Sequence, residues 1–380
     1  MEIRLWIFIS RDGRHIGRNA DLDEMEKVDL NHVLFGIDLE AAQELAKREG
    51  LPPYRATQIL EWIYKKNIES FQEASNLPTA TRQRLSTEYR LHALSLVEEK
   101  ASANGESVKY LFRTIDGELV ESVLIEQQKR KTVCVSTQLG CKIGCIFCAS
   151  GKGKFGRDLS AGEIVEQVAW IQKMKAGAVT NVVFMGMGEP LDNFDETMRA
   201  LDILQAPWGL AMGPRRITVS TSGITPRILD FVKHVGGRVR LSVSLHASDD
   251  AKRSRLVPIN RKYGLGELKK TLAKVHHSLK RQITFEYTLI DEVNDSREDA
   301  EGVARIAKPL HAKVNIIPYN PIEEEAFRTP TDEKIAMFRR VFHEHGIRVT
   351  IRKTAGRDID AACGQLRLNR KDSERRAKDG

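Results

Sequence analysis

The spacing of apolar positions changes character near residue 107. Before it the period is helical. Residues 38–50 repeat apolar side chains every three or four positions and close on Gly50, which suits a left-handed helix end. A second helix is expected from about Arg55, with Ile59, Leu60, Ile63 and Tyr64 on one face and Lys65 and Lys66 on the other. A third is expected over residues 79–94. Beyond the change, residues 108–113, 119–125 and 132–136 read as strands, the first two joined across Asp116-Gly117. Short apolar strands at 181–185, 217–220, 241–245, 283–287, 314–317 and 347–351 follow, with helices such as 160–175 and 330–345 among them. The first of these helices opens on Ser160 with Glu163, a capping-box signature.

This alternation implies an α/β fold with a parallel sheet, either open or curled into a complete or partial barrel. Ligands in such folds gather at the C-terminal ends of the strands. Gly186-Met-Gly-Glu-Pro190, Ser220-Thr-Ser-Gly223, Ser244-Leu-His246 and Pro318-Tyr-Asn320 follow strands and are the candidate contacts. Each also has an ordinary reading as a strand-end turn, a helix cap or a surface histidine.

At 380 residues the chain exceeds the usual size of one hydrophobic core, so two domains are expected. We place a helical accessory domain at 1–100, a catalytic domain with a preceding β-extension at 101–366, and a basic flexible tail at 367–380. No apolar run is long enough to span a bilayer. The opening ten residues are interrupted by Glu2 and Arg4 and carry no cleavage signal, so cytoplasm is expected. A net charge of +8 permits a polyanionic partner without establishing one. The basic face of the early helices is either an RNA contact or solvated surface.

The five cysteines are more informative: Cys134, Cys141, Cys145, Cys148 and Cys363. An odd number without a secretory leader argues against a disulfide framework. Cys141-Lys-Ile-Gly-Cys145-Ile-Phe-Cys148 supplies three thiolates, enough to hold a cubane iron–sulfur cluster with one iron open. A four-cysteine zinc site using Cys134 is the alternative, although no second cysteine pair with a two-residue gap accompanies it. Inert thiols are the third reading.

That motif, with an aromatic residue before its last cysteine, resembles the radical S-adenosylmethionine superfamily. More narrowly, CVSTQLGCKIGCIFCAS, NVVFMGMGEPLDN, ITVSTSG, LSVSLHA, VNIIPYNP and DIDAACGQL resemble the dual-specificity 23S ribosomal RNA and transfer RNA adenine-C2 methyltransferases. FGIDLE and RATQILEWIYKK resemble the helical domain of that family. The resemblance implies a partial (β/α) barrel with an N-terminal helical accessory domain that helps grip RNA. It implies a 4Fe–4S cluster on Cys141, Cys145 and Cys148, and S-adenosylmethionine held by Gly188, Glu189, Ser220, Ser244, Leu245, His246 and Asn320. Cys363 is implied to take a methyl group and form a methylene-bridged adduct with RNA. Glu121 is implied to accept the adenine proton, and Cys134 to release the RNA through a transient disulfide with Cys363. The implied substrates are 23S ribosomal RNA (adenine 2503) and transfer RNA (adenine 37). A small electron donor such as flavodoxin with its reductase is the implied redox partner, and a monomer without membrane attachment is expected.

Two positions depart from the family pattern. Ala355 stands where arginine is frequent, so Arg352 or Arg357 is the expected substitute for a phosphate contact. Ser150 replaces the commoner threonine after the last cluster cysteine. The nearest rival is a C8-adenine methyltransferase of the antibiotic-resistance type, against which we weigh Glu189-Pro190 and the residues 358–366. A non-catalytic RNA-binding protein with a structural cluster is the rival from another class.

Overall fold

The computed structural model describes residues 33–127, 130–175, 179–322, 326–352 and 355–366; the opening segment and the basic tail lie outside them. Asp38 caps helix α1 (Leu39–Arg48), its carboxylate accepting the Ala41 amide at 2.9 Å. Helix α2 (Arg55–Leu60) continues as a π-helical turn, Glu61–Lys66, and stops at Asn67 in the left-handed conformation. Helix α3 (Thr79–Glu88) ends before the apolar pattern suggests. Strand β1 (Leu94–Ala101) has already begun at Leu94, paired with Thr114. The cause is tertiary: the Glu166 carboxylate accepts the amides of Ala93 and Leu94 at 2.7 and 3.0 Å and draws this stretch out of the helix. Strand β1 escapes the apolar pattern because it is an edge strand whose second half is mostly exposed.

Strands β2 (Ser107–Thr114), β3 (Leu119–Gln127) and β4 (Arg130–Val135) continue antiparallel from β1. From β4 the sheet turns parallel. Helices α4 (Ala149–Lys152) and α5 (Ala161–Met174) lead to β5 (Asn181–Phe184), and α6 (Phe194–Gln205) leads to β6 (Ile217–Thr221). Helix α7 (Thr225–Val235) then precedes β7 (Arg240–Ser244), and α8 (Asp250–Leu256) with α9 (Leu265–Val275) precedes β8 (Thr284–Leu289). Helix α10 (Arg297–Ala307), β9 (Lys313–Pro318), α11 (Asp332–Glu344) and β10 (Val349–Ile351) complete the series. Strand order follows the chain from β1 to β10, and β10 pairs only with β9, so the parallel run is an open, partial barrel. Strand β8 is buried along its whole length, as expected for a parallel strand covered on both faces.

The early helices dock on α5. Leu34, Ile59 and Tyr64 belong to the same buried apolar cluster as Ile164, Val168 and Leu201. Gly162 allows this approach, since a Cβ there would lie 2.1 Å from the Phe35 carbonyl oxygen. The Tyr64 hydroxyl donates to the Ile37 carbonyl at 2.7 Å and accepts from the Gly36 amide at 2.9 Å. Among the described residues no helix is long and apolar enough to cross a membrane.

Candidate active site

The cysteine loop follows β4, at the C-terminal end of the first parallel strand. It is tied in place by its backbone: the Cys148 amide donates to the Cys145 carbonyl at 3.2 Å, and Ile146 donates to Leu256 at 3.2 Å. Burial raises all three thiols, and Cys141 is pushed up to about 12. The charges of Cys141 and Cys148 raise Cys145 further. Thiols gathered in one loop and held protonated by burial are what a cationic metal group relieves. Among the described residues no three His, Cys, Asp or Glu side chains are arranged around a single ion. A cubane instead places one iron at each thiolate, which suits three cysteines spread along a loop. Cys134 lies inside β4, opposite Val123 and Val183, and its charged neighbours are Arg352 and Cys363. The four-cysteine zinc arrangement is not assembled.

The remaining candidate contacts cluster at the next strand ends. Gly188 sits at φ +98°, and a Cβ there would lie 2.6 Å from Gln138 Cβ, so only glycine fits. Glu189 is buried, and its carboxylate accepts the amides of Ser222 at 2.6 Å and Leu191 at 3.0 Å. Burial raises its pKa against those hydrogen bonds. Ser220 on β6 faces Ser242 on β7 in register, and Ser244 ends β7 beside Glu286. Leu245 is fully buried; its amide donates to the Glu286 carbonyl at 3.0 Å, and its own carbonyl accepts from Arg253 at 3.0 Å. Asn320, beyond β9, donates to the Cys363 carbonyl at 3.0 Å.

His246 is a non-glycine residue at φ 57°, held by its surroundings. Its Nδ1 accepts the Thr288 amide at 2.9 Å, so the neutral ring carries its proton on Nε2. Phe147 of the cysteine loop meets the ring edge-on at 4.6 Å between centroids. Burial, with Arg253 nearby, lowers the imidazolium pKa to about 3. The unfolded chain takes up this proton more readily, so stability present above pH ~6.5 is lost as pH falls toward 3. Thermal melts of the cluster-free protein between about pH 7 and 5 should show a decline, at most about 1.4 kcal/mol per pH unit for this proton, that is weaker in His246→Gln. Equal slopes for the two proteins exclude the assignment.

Cys363 reaches the site through the C-terminal segment. The Ala149 amide donates to Gly364 at 2.7 Å and the Ser150 hydroxyl to Leu366 at 2.5 Å, so the segment lies against the cysteine loop. At its other end the Ala103 amide donates to Asp358 at 2.8 Å, binding the segment to the antiparallel extension. Cys134, Val123, Met187, Ile359 and Ala361 form one buried patch. Glu121 lies two residues from Val123 along β3, and therefore on the same sheet face as Cys134. It is buried and sits 3.0 Å from the Lys109 ammonium. Burial raises Cys134 to about 12 and raises Cys363, while Arg352 opposes both shifts. Arg352 is thus turned to the two thiols, and Arg357 bonds the Tyr319 carbonyl and Asn320 at 3.4 and 3.3 Å.

Two family models match the chain. "Radical SAM superfamily" covers residues 135–303, and "Ribosomal RNA large subunit methyltransferase N-terminal domain" covers residues 32–91. The chain is 43% identical over 353 residues to "Probable dual-specificity RNA methyltransferase RlmN 3" of Opitutus terrae, covering 88% of this chain and 94% of that one. It is 42% identical over 347 residues to the RlmN of Geobacillus kaustophilus, covering 90% and 94%. The chain belongs to the RlmN family of radical S-adenosylmethionine RNA methyltransferases. A crystal structure of a radical S-adenosylmethionine methyltransferase from Sphaerobacter thermophilus superimposes with a TM-score of 0.84 at 42% identity, covering 89% of this chain and 99% of that one.

As a member of the RlmN family the chain is an enzyme whose cofactors are a 4Fe–4S cluster and S-adenosylmethionine. Further residues that are not candidate contacts of the cofactor order the strand ends. Gln138 accepts the Glu189 amide at 2.9 Å and donates to Asp158 and Asp192 at 2.7 and 2.8 Å, fixing the glycine-rich turn. Gln167 on α5 accepts the Ser136 amide at 2.8 Å and the Ser122 hydroxyl. Arg253 and Arg352 face cysteines from distant parts of the chain. Nothing local marks them. Arg253 sits in a run of basic residues that reads as solvated helix.

Proposed function

We propose that the enzyme methylates C2 of adenine, at adenine 2503 of 23S ribosomal RNA and adenine 37 of transfer RNA, through a methyl group carried on Cys363. The observation that supports this reading most is the meeting of Cys363, Cys134 and Arg352, with Glu121 on the same sheet face as Cys134. Adenine C2 is a poor nucleophile, so ordinary methyl donation is expected at a ring nitrogen instead. When bound, S-adenosylmethionine supplies both a methyl group and, on one-electron reduction at the cluster, a 5′-deoxyadenosyl radical. Cys141, Cys145 and Cys148 hold the cluster. The strand ends around Gly188, Glu189, Ser220, Ser244, His246 and Asn320 orient the cofactor.

The Cys363 thiol loses its proton and its Sγ takes the methyl cation equivalent, with Arg352 as the nearby cation favouring the thiolate. After loss of one methyl hydrogen the methylene bridges Sγ and adenine C2. Glu121 accepts the C2 proton as the adduct gives up one electron, for which the cluster, oxidised by one electron in cleaving the cofactor, would be the acceptor. Cys134 then attacks the Cys363 sulfur, and the disulfide forms as the Sγ–methylene bond breaks. The methylene carbon keeps that electron pair and takes the proton of the Cys134 thiol to become the methyl group of the freed RNA. A cytosolic reductant restores both thiols. A flavodoxin-type donor and its reductase supply electrons, in the cytoplasm. Residues 1–100, with their lysine- and arginine-bearing helices, serve as the RNA-gripping part of a monomer. Mapping the methyl group on digested RNA by mass and proton spectra tests the reading: a C2 product is expected, and a product carrying the group only at C8 replaces it with the resistance-type reaction.

A further inference from the structure

Arg253 on α8 is fully buried, and every hydrogen bond it makes goes to a neutral oxygen. Its Nε donates to the Leu245 carbonyl at 3.0 Å, Nη2 to Ser222 at 2.6 Å and Ser244 at 2.9 Å, and Nη1 to Asn260 Oδ1 at 2.7 Å. Three of these acceptors are backbone carbonyls at the ends of β6 and β7. Ser222 is also the residue whose amide holds the Glu189 carboxylate, so the guanidinium links two strand ends directly and the turn after β5 through Ser222. Asp250, the nearby acid, is engaged elsewhere: its Oδ1 accepts the Leu265 amide and the Asn260 amide group, each at 2.8 Å. A buried guanidinium without a bonded carboxylate is costly unless an anion faces it. The cysteine loop lies against the end of α8, the Ile146 amide donating to the Leu256 carbonyl at 3.2 Å, and Cys145 favours the charged arginine, whose pKa burial lowers to about 10.

We infer that Arg253 is a positioning residue that locks the cofactor-binding ends of β6 and β7 in register and takes the cluster's thiolates as its counter-charge. The geometric half rests on the cofactor site proposed above. The electrostatic half needs only a cluster on Cys141, Cys145 and Cys148. A fixed cation beside Cys145 favours the reduced, more negative cluster and so raises its reduction potential.

Lysine keeps the charge but not the planar fork, and methionine keeps bulk without charge. In the anaerobically reconstituted full chain, Arg253→Lys should retain the parent's iron and sulfide content and midpoint potential. Its equilibrium affinity for S-adenosylmethionine should fall by about tenfold or more, with the cofactor-induced change in the spectrum of the reduced cluster diminished. Arg253→Met should move the midpoint to more negative values. Arg253→Gln, which keeps a donor pair without charge, carries the same potential reading if the methionine variant does not fold. Parent affinity in the lysine variant overturns the geometric half. An unmoved midpoint in the neutral variants overturns the electrostatic half. Failure of all three to fold makes Arg253 purely structural and overturns both. None of these readings uses RNA, so a C8 product, or no RNA product, leaves them standing.

Discussion

Cys363→Ala should bind S-adenosylmethionine and assemble its cluster, yet carry no methyl group and form no bond to RNA. The expected loss is complete, because no other described cysteine shares its position. Cys134 lies in β4 and the remaining three stand in the cluster loop. The variant should stay folded. The segment is held by backbone contacts, Asn320 to the Cys363 carbonyl and Gly364 to the Ala149 amide, which a smaller side chain leaves intact. Loss of a buried sulfur costs about 1 kcal/mol. Intact-protein mass after incubation with cofactor and reductant reads the missing methyl group directly. Methyl loading at the parent level in this variant removes Cys363 from the proposed reaction.

The companion result has the opposite appearance. Cys134→Ala should load its methyl group and bridge to RNA, then stop. Protein joined to RNA should accumulate to about one equivalent, with released product near zero after the first turnover. The sheet register supports this. Cys134 is opposite Val123, on the face that carries Glu121, so removing its sulfur leaves the proton acceptor and the methyl carrier in place. Only the nucleophile that attacks Cys363 is lost. Mass analysis of RNA-linked peptides should find the bridge on Cys363. Free methylated RNA at the parent rate, without adduct, eliminates Cys134 as the resolving thiol.

Burial makes both thiols poor acids, and Arg352 is the group placed to correct this. Burial opposes the charge of Arg352 itself, and Cys363, Glu286 and Cys134 outweigh that opposition. Glu286 in turn bonds the Ser242 hydroxyl at 2.9 Å and the Asn315 amide group at 2.6 Å, so its carboxylate is fixed inside the sheet. One buried carboxylate thus supports one cation within electrostatic reach of two thiols. The sequence contains no sign that Arg352 lies within electrostatic reach of both cysteines, since that depends on where residues 355–366 return across the antiparallel extension.

Several features were legible because their physics is local. The cluster cysteines are neighbours in sequence, and a loop of a few residues brings them to one place without help from the fold. Ser160 and Glu163 form the expected capping box at α5, and the alternating strands and helices appear in the expected order. Where a neighbour competes, the local pattern fails. Helix α3 stops at Glu88 and the chain extends into β1, because two backbone amides find the Glu166 carboxylate, a partner more than seventy positions away.

The sequence by itself therefore determined the gathering of three cysteines in one loop and the parallel architecture, which follow from spacing and period, while the cofactor chemistry rested on the resemblance of its motifs to a family. Only the tertiary structure decided which cysteine lies beside the C-terminal segment and which strand ends share one cation. Cys134 shares a buried patch with Ile359, Ala361 and Leu366 of the C-terminal segment, and Arg253 joins the ends of β6 and β7. The physical reason is the same in each case. Burial sets the cost of a thiol's charge or a guanidinium's, and burial is a property of the packed molecule that no short stretch of sequence contains.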